Sequence, residues 1–76
     1  MTWLVTGGAG YIGAHVVREF AERGIPVVAF DDLSTGRRSF VPAGVALVEA
    51  SVLDRASLRD ALSEFAVEGV IHLAGF

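Results

Sequence analysis

Residues 6–13 read TGGAGYIG, and no other stretch constrains the fold so tightly. Gly8, Gly10 and Gly13 give G-x-G-x-x-G, while Thr6, Gly7, Gly10 and Gly13 also give T-G-x-x-G-x-x-G. The string follows a short apolar, partly β-branched run (TWLVT) that reads as a buried strand, and it opens into a segment of helical period. A chain with this pattern must turn sharply out of the strand, leave backbone amides bare, and let the helix pack closely on a sheet. A side chain at any of these glycines would intrude. The orphan amides near Tyr11 and Ile12, at the positive end of the helix dipole, suit an anion such as a diphosphate.

The rest of the chain repeats the alternation. Ile12, Gly13, Val16, Val17 and Phe20 fall on one helical stripe, with His15, Arg18, Glu19 and Glu22 opposite and Glu19 and Arg23 at i,i+4 spacing. Gly24 sits where a left-handed helix end is wanted, and Pro26 forbids continuation. Residues 27–30 (VVAF) predict a second strand, apolar on both faces, ending at Asp31. Residues 32–44 carry turn formers and no sustained period, which reads as a loop with room for one helical turn. Residues 45–49 predict a third strand. Asp54 is a helix N-cap, followed by Leu58, Ala61, Leu62 and Phe65 at i, i+3, i+4 and i+7, and residues 69–74 (GVIHLA) predict a fourth strand.

Strands alternating with helices imply right-handed crossovers and an α/β fold, a Rossmann-type parallel sheet of order 3-2-1-4. At 76 residues the chain has room for one domain, 1–76. The sheet is expected to be incomplete, since only the second helix covers its second face. Val70, Ile71 and Leu73 should then lie near the uncovered region beside an edge strand, which predicts a homodimer or other self-association.

Asp31 follows Gly13 by eighteen residues, close to the spacing of about 20 expected for an acid that grips the adenosine ribose of a dinucleotide. A carboxylate there accepts ribose hydroxyls and repels a 2′-phosphate, so NAD is expected over NADP. Arg37 and Arg38 read as a solvated loop pair. They are also the largest basic cluster in a chain of net charge −3, which excludes a phosphate backbone as partner. With no cysteine, a disulfide scaffold, a thiol nucleophile and a thiolate metal site are excluded. No apolar run exceeds four residues, so no membrane span or signal peptide is expected, and the cytoplasm is the expected location. His15 reads as a surface residue, His72 as a hydrogen-bonded core residue, Asp54 and Asp60 as a helix cap and an exposed acid, and Trp3 and Phe30 as core. No metal site is expected.

Taken together, TGGAGYIG, FDDLSTGRR and the terminal HLAGF resemble the N-terminal part of the UDP-glucose 4-epimerase family, within the extended short-chain dehydrogenase/reductase superfamily. The resemblance covers all 76 residues, which would be the first quarter of such an enzyme. It implies that Gly7, Gly10, Tyr11, Ile12 and Gly13 cradle the NAD diphosphate and that Asp31 holds the adenosine ribose. Asp32, Leu33, Ser34, Thr35 and Gly36 would form the loop beside that ribose and adenine. Ser51 and Val52 would meet the adenine, although Ala50 and Ser51 stand where the family has Gly-Asp, a departure expected to lower affinity. Leu73, Ala74, Gly75 and Phe76 would run under the nicotinamide half.

The resemblance further implies a UDP-hexose substrate epimerised through a 4-keto intermediate, with a tyrosine and a lysine four residues on moving the proton. The chain has no lysine, and its one tyrosine lies in the glycine turn, so no catalytic residue is expected here and the chain alone should be incompetent. Two other readings stay open: a non-catalytic nucleotide-sensing module, and another NAD-dependent nucleotide-sugar dehydratase or reductase.

Overall fold

Four strands and two α-helices form in the predicted sequence, as a computed structural model describing residues 1–73 shows: β1 (Thr2–Thr6), α1 (Tyr11–Glu22), β2 (Val27–Asp31), β3 (Ala46–Glu49), α2 (Arg55–Glu64) and β4 (Val67–His72). All strand pairs are parallel, in the order β3-β2-β1-β4. The single helical turn foreseen in the long loop is a 3₁₀ turn at Arg38–Phe40.

The strand order dictates where the helices go. Running β1 to β2 to β3 winds the chain across the sheet one way, and returning to β4 on the far side of β1 reverses it; right-handed crossovers then set α1 and α2 on opposite faces. Pleating sorts the side chains accordingly. Val5 and Ala29 point to the α1 face and pack with Val17, while Leu4, Val28 and Phe30 point to the other and pack with Ala61, Leu58, Leu62 and Phe65. Leu4, Val5, Val17, Ala29 and Phe30 are fully buried. At about 25 cal/mol per Å² of apolar surface, these two layers supply most of the drive to fold.

Several expectations change. β4 starts at Val67 and ends at His72, not at residues 69–74. Ala66 takes the left-handed turn out of α2 at φ +51 without being a glycine. Gly69 lies inside the strand instead, paired with Trp3, whose ring occupies the space a Cβ at position 69 would need, 2.5 Å away. Trp3 itself is half-buried, edge-on to Phe20 at 5.7 Å.

Ile12 is 67% exposed and does not belong to the core stripe, because the first turn of α1 projects past the ends of the strands. Of the three apolar residues expected near an uncovered region, Val70 alone is exposed, on the α2 face; Ile71 and Leu73 pack against the Val5, Val17 and Ala29 cluster.

Candidate nucleotide-binding site

Reversal of the winding direction leaves a crevice beyond the carboxyl ends of the strands, the place where open parallel sheets bind ligands. An open cleft of about 680 Å³ lies there. One wall is the turn after β1, with Gly7, Gly10, Tyr11, Ile12 and Gly13; the middle is formed by Phe30, Asp31, Asp32, Ser34 and Thr35 after β2; the other wall is residues 50–53 after β3, and Leu73 closes the β4 side. Leu33 and Gly36 do not line it. Ala74, Gly75 and Phe76 lie outside the described residues. Phe30, expected only as core, and Ala50 join the lining, as does Leu53, which the sequence did not point to and which is 88% exposed at the rim. A shallower hollow of about 410 Å³ at the opposite ends of the strands has, among the described residues, only Thr2 as a polar side chain.

The turn has no slack. A Cβ at Gly13 would stand 1.9 Å from the Gly7 carbonyl oxygen, so helix and turn can approach this closely only with glycine. Gly10 is the N-cap of α1 and brings no side-chain hydrogen bond, which leaves the first-turn amides for an anion in the cleft. Among the described residues no lysine or arginine lines the cleft, so backbone N–H groups and the helix dipole would carry the recognition of negative charge.

Asp31 is buried at 8% exposure, and both its oxygens are engaged. Oδ2 accepts from the Ala9 N–H at 3.0 Å and Oδ1 from the Leu33 N–H at 2.7 Å. That second bond holds Leu33 in a left-handed conformation, φ +63, which a branched residue rarely adopts. A carboxylate has lone pairs left after two such bonds, enough to accept ribose hydroxyls. Next to it, Asp32 accepts from the Ser34 N–H at 2.9 Å; that bond, followed by one from the Ser34 hydroxyl, holds the exposed Asp32 carboxyl below its ordinary range.

At the β4 side, Thr6 Oγ1 and His72 Nδ1 are hydrogen-bonded at 2.7 Å, and the Leu73 N–H donates to the same Oγ1 at 3.0 Å. His72 is thus hydrogen-bonded as expected, but at the exposed end of its strand and not in the core. His15 is exposed, its ring edge-on to Tyr11 at 4.9 Å. Arg38 pairs with Glu49 on the surface, and Asp54 caps α2 by accepting from the Ser57 N–H at 3.2 Å. Among the described residues no group of three or more His, Cys, Asp or Glu could hold a metal ion.

Sheet order, glycine turn and buried acid together define a Rossmann-type nucleotide-binding fold. The profile of the NAD dependent epimerase/dehydratase family matches residues 3–76, and the chain belongs to that family. It is 49% identical over 72 residues to a UDP-glucose 4-epimerase of Azospirillum brasilense, covering 95% of this chain and 21% of that protein. A UDP-glucose 4-epimerase of Corynebacterium glutamicum is 45% identical over 74 residues, covering 97% and 22%. Among solved structures, the Thermus thermophilus UDP-glucose 4-epimerase in complex with NAD superposes with a TM-score of 0.95 at 41% identity, covering 100% of this chain and 24% of that one. The Thermotoga maritima UDP-glucose 4-epimerase with UDP-glucose gives 0.93 at 39% identity, covering 99% and 24%. The chain therefore spans little more than a fifth of the length of these curated relatives.

Proposed function

We propose that the chain is the NAD-binding N-terminal portion of a UDP-sugar 4-epimerase. The observation that carries this is the buried Asp31 carboxylate, set between the glycine turn and the loop after β2 so that it can meet ribose hydroxyls while the bare first-turn amides of α1 meet the diphosphate. Likeness to UDP-glucose 4-epimerases over the whole chain supports the particular reaction. NAD would supply hydride transfer to and from carbon 4 of the sugar. What these residues do is hold and orient: Gly7, Gly10, Tyr11, Ile12 and Gly13 at the diphosphate, Asp31 and Asp32 with Ser34 and Thr35 at the ribose, Ser51 and Val52 at the base, Leu73 toward the nicotinamide. They move no proton, since the chain has no lysine and its one tyrosine sits in the turn.

A chimera tests the reading. Replacing the corresponding first quarter of the Thermus thermophilus enzyme with this chain is expected to give conversion of UDP-galactose to UDP-glucose, whereas the chain alone at saturating NAD gives none. A folded, NAD-binding chimera without turnover would count against it. The same reading places the protein in the cytoplasm; no helix among the described residues is long and apolar enough to cross a membrane. It also includes self-association of the isolated chain along β4, where Val70 is 49% exposed. Light scattering over a concentration series should show it, and a stable monomer would speak against it.

A further inference from the structure

The resemblance implies that the loop after β2 lies beside the ribose and adenine; its backbone is also fastened to the phosphate turn. Ala9, fully buried in that turn, donates its N–H to Asp31 Oδ2 and accepts the Arg37 N–H at 2.9 Å. Both of its backbone polar groups are therefore satisfied by the segment 31–37. Between those two attachments Gly36 lies flat on the Ala9–Gly10 peptide. A Cβ at position 36 would stand 2.7 Å from the Ala9 carbonyl carbon and oxygen and 2.9 Å from the Gly10 nitrogen, all backbone atoms that have no rotamer to retreat into. Gly36 is not among the glycines with positive φ, so alanine would not strain its own backbone; the constraint is contact alone.

We propose that Gly36 is a positioning residue: it does not line the cleft, and its missing side chain lets the strap 31–37 close on the Ala9–Gly10 peptide and so aim the first-turn amides of α1 at the ligand's diphosphate. The aim depends on this strap because Gly10, the N-cap, has no side chain of its own to fix it. One unit then reads ribose and diphosphate together, and a change in the loop reaches a part of the ligand that the loop never touches. The inference rests on reading the cleft as an NAD site.

The experiment titrates the 76-residue chain with NAD and, separately, with inorganic pyrophosphate, a probe that has no ribose. Gly36→Ala is expected to weaken both by about tenfold, as when one hydrogen bond to a charged group is misaimed, and to speed hydrogen exchange at the Arg37 amide. Gly44→Ala is the control for a purely structural glycine. Gly44 has φ +87 in open space away from the cleft, and its replacement should lower the melting temperature while leaving the pyrophosphate affinity of the folded chain unchanged.

Should Gly36→Ala fail to fold, Asp31→Asn serves. Removing a negative charge would by itself tighten pyrophosphate binding, whereas losing an acceptor for Ala9 or Leu33 loosens the strap and is expected to weaken it. A folded Gly36→Ala chain with unaltered pyrophosphate affinity, or an Asp31→Asn chain that binds it more tightly, overturns the inference alone. An unaltered chain that binds neither ligand overturns the reading of the cleft, and the inference with it.

Discussion

The two walls of the cleft are built in opposite ways. On the β1 side, the turn is held both from within and by atoms distant in sequence: Gly13 against the Gly7 carbonyl, and then Ala9 between Asp31 and Arg37, with Gly36 on the Ala9–Gly10 peptide. On the β3 side, the Ala50 N–H donates to the Asp31 carbonyl at 3.1 Å and Ala50 and Val52 pack on the core, but the rim is a local turn in which the Ser51 hydroxyl accepts from the Leu53 N–H at 3.0 Å and the Ser51 carbonyl from the Asp54 N–H at 2.9 Å, with Leu53 left in solvent. A wall fixed from several directions can present backbone donors without reorganising on binding, whereas a wall whose rim is closed by its own turn bonds can yield there to the ligand. Affinity should therefore be concentrated on the β1 side, and the β3 side should only adjust it.

The largest effect that this contrast predicts is at Gly13. A methyl placed 1.9 Å from a carbonyl oxygen must force the helix and turn apart, and Gly13→Ala is expected to cost about 3 kcal/mol or more in thermal or denaturant unfolding and to abolish NAD binding. Wild-type stability there would break the comparison outright. Asp31→Ala comes next. It strands the buried Ala9 N–H, a loss of about 1–3 kcal/mol in the same unfolding measurement, and in a titration it should weaken NAD while narrowing the gap to NADP.

Smaller effects should come from the β3 wall. Ser51→Ala removes one exposed turn bond and is expected to change NAD affinity by about threefold or less, which corresponds to under 1 kcal/mol. Ser51→Asp, which restores an acid at that place, should tighten it. A tenfold loss in Ser51→Ala would mean that both walls carry comparable weight.

The smallest effect is on acid stability, at one carboxyl in the middle of the cleft and one at the α2 cap just beyond the β3 wall. The backbone N–H of Ser34 followed by its hydroxyl lowers the Asp32 carboxyl from its ordinary 3.8, and the hydroxyl of Ser57 followed by its N–H lowers Asp54. A folded-state pKa below the unfolded one contributes stability that is complete above pH 3.8 and is lost as pH falls through the lowered value. Unfolding midpoints measured from about pH 5 downward should fall less steeply in Asp32→Ala and in Asp54→Ala than in the unaltered chain, by a slight margin for each exposed carboxyl. Parallel acid limbs in all three chains would contradict this.

Much of this was legible in the sequence, for a physical reason. A glycine turn between a strand and an amphipathic helix has few ways to pack, and the right-handed crossover then fixes strand order, so order 3-2-1-4, the Asp54 cap and Asp31 at the end of β2 could all be read. Ile12 was misjudged because helical period reports which face is apolar and not where the sheet beneath it ends. The start of β4 was misjudged because glycine usually punctuates a strand, while here Gly69 makes room for Trp3 and Ala66 turns the chain without a glycine. The strap could not be read at all. Its attachments run between backbone atoms of Ala9 and Arg37, and no residue type advertises them.

The central claim is that the overdetermined β1 wall, with the buried acid at the end of β2 that is bonded to it, holds NAD. Calorimetric titration of the chain with NAD and with NADP tests it most directly. NAD is expected to bind more tightly by about tenfold or more, at 1.4 kcal/mol for each tenfold, because a 2′-phosphate would be brought against the Asp31 carboxylate. NADP bound equally or more tightly, or no binding of either, would contradict it.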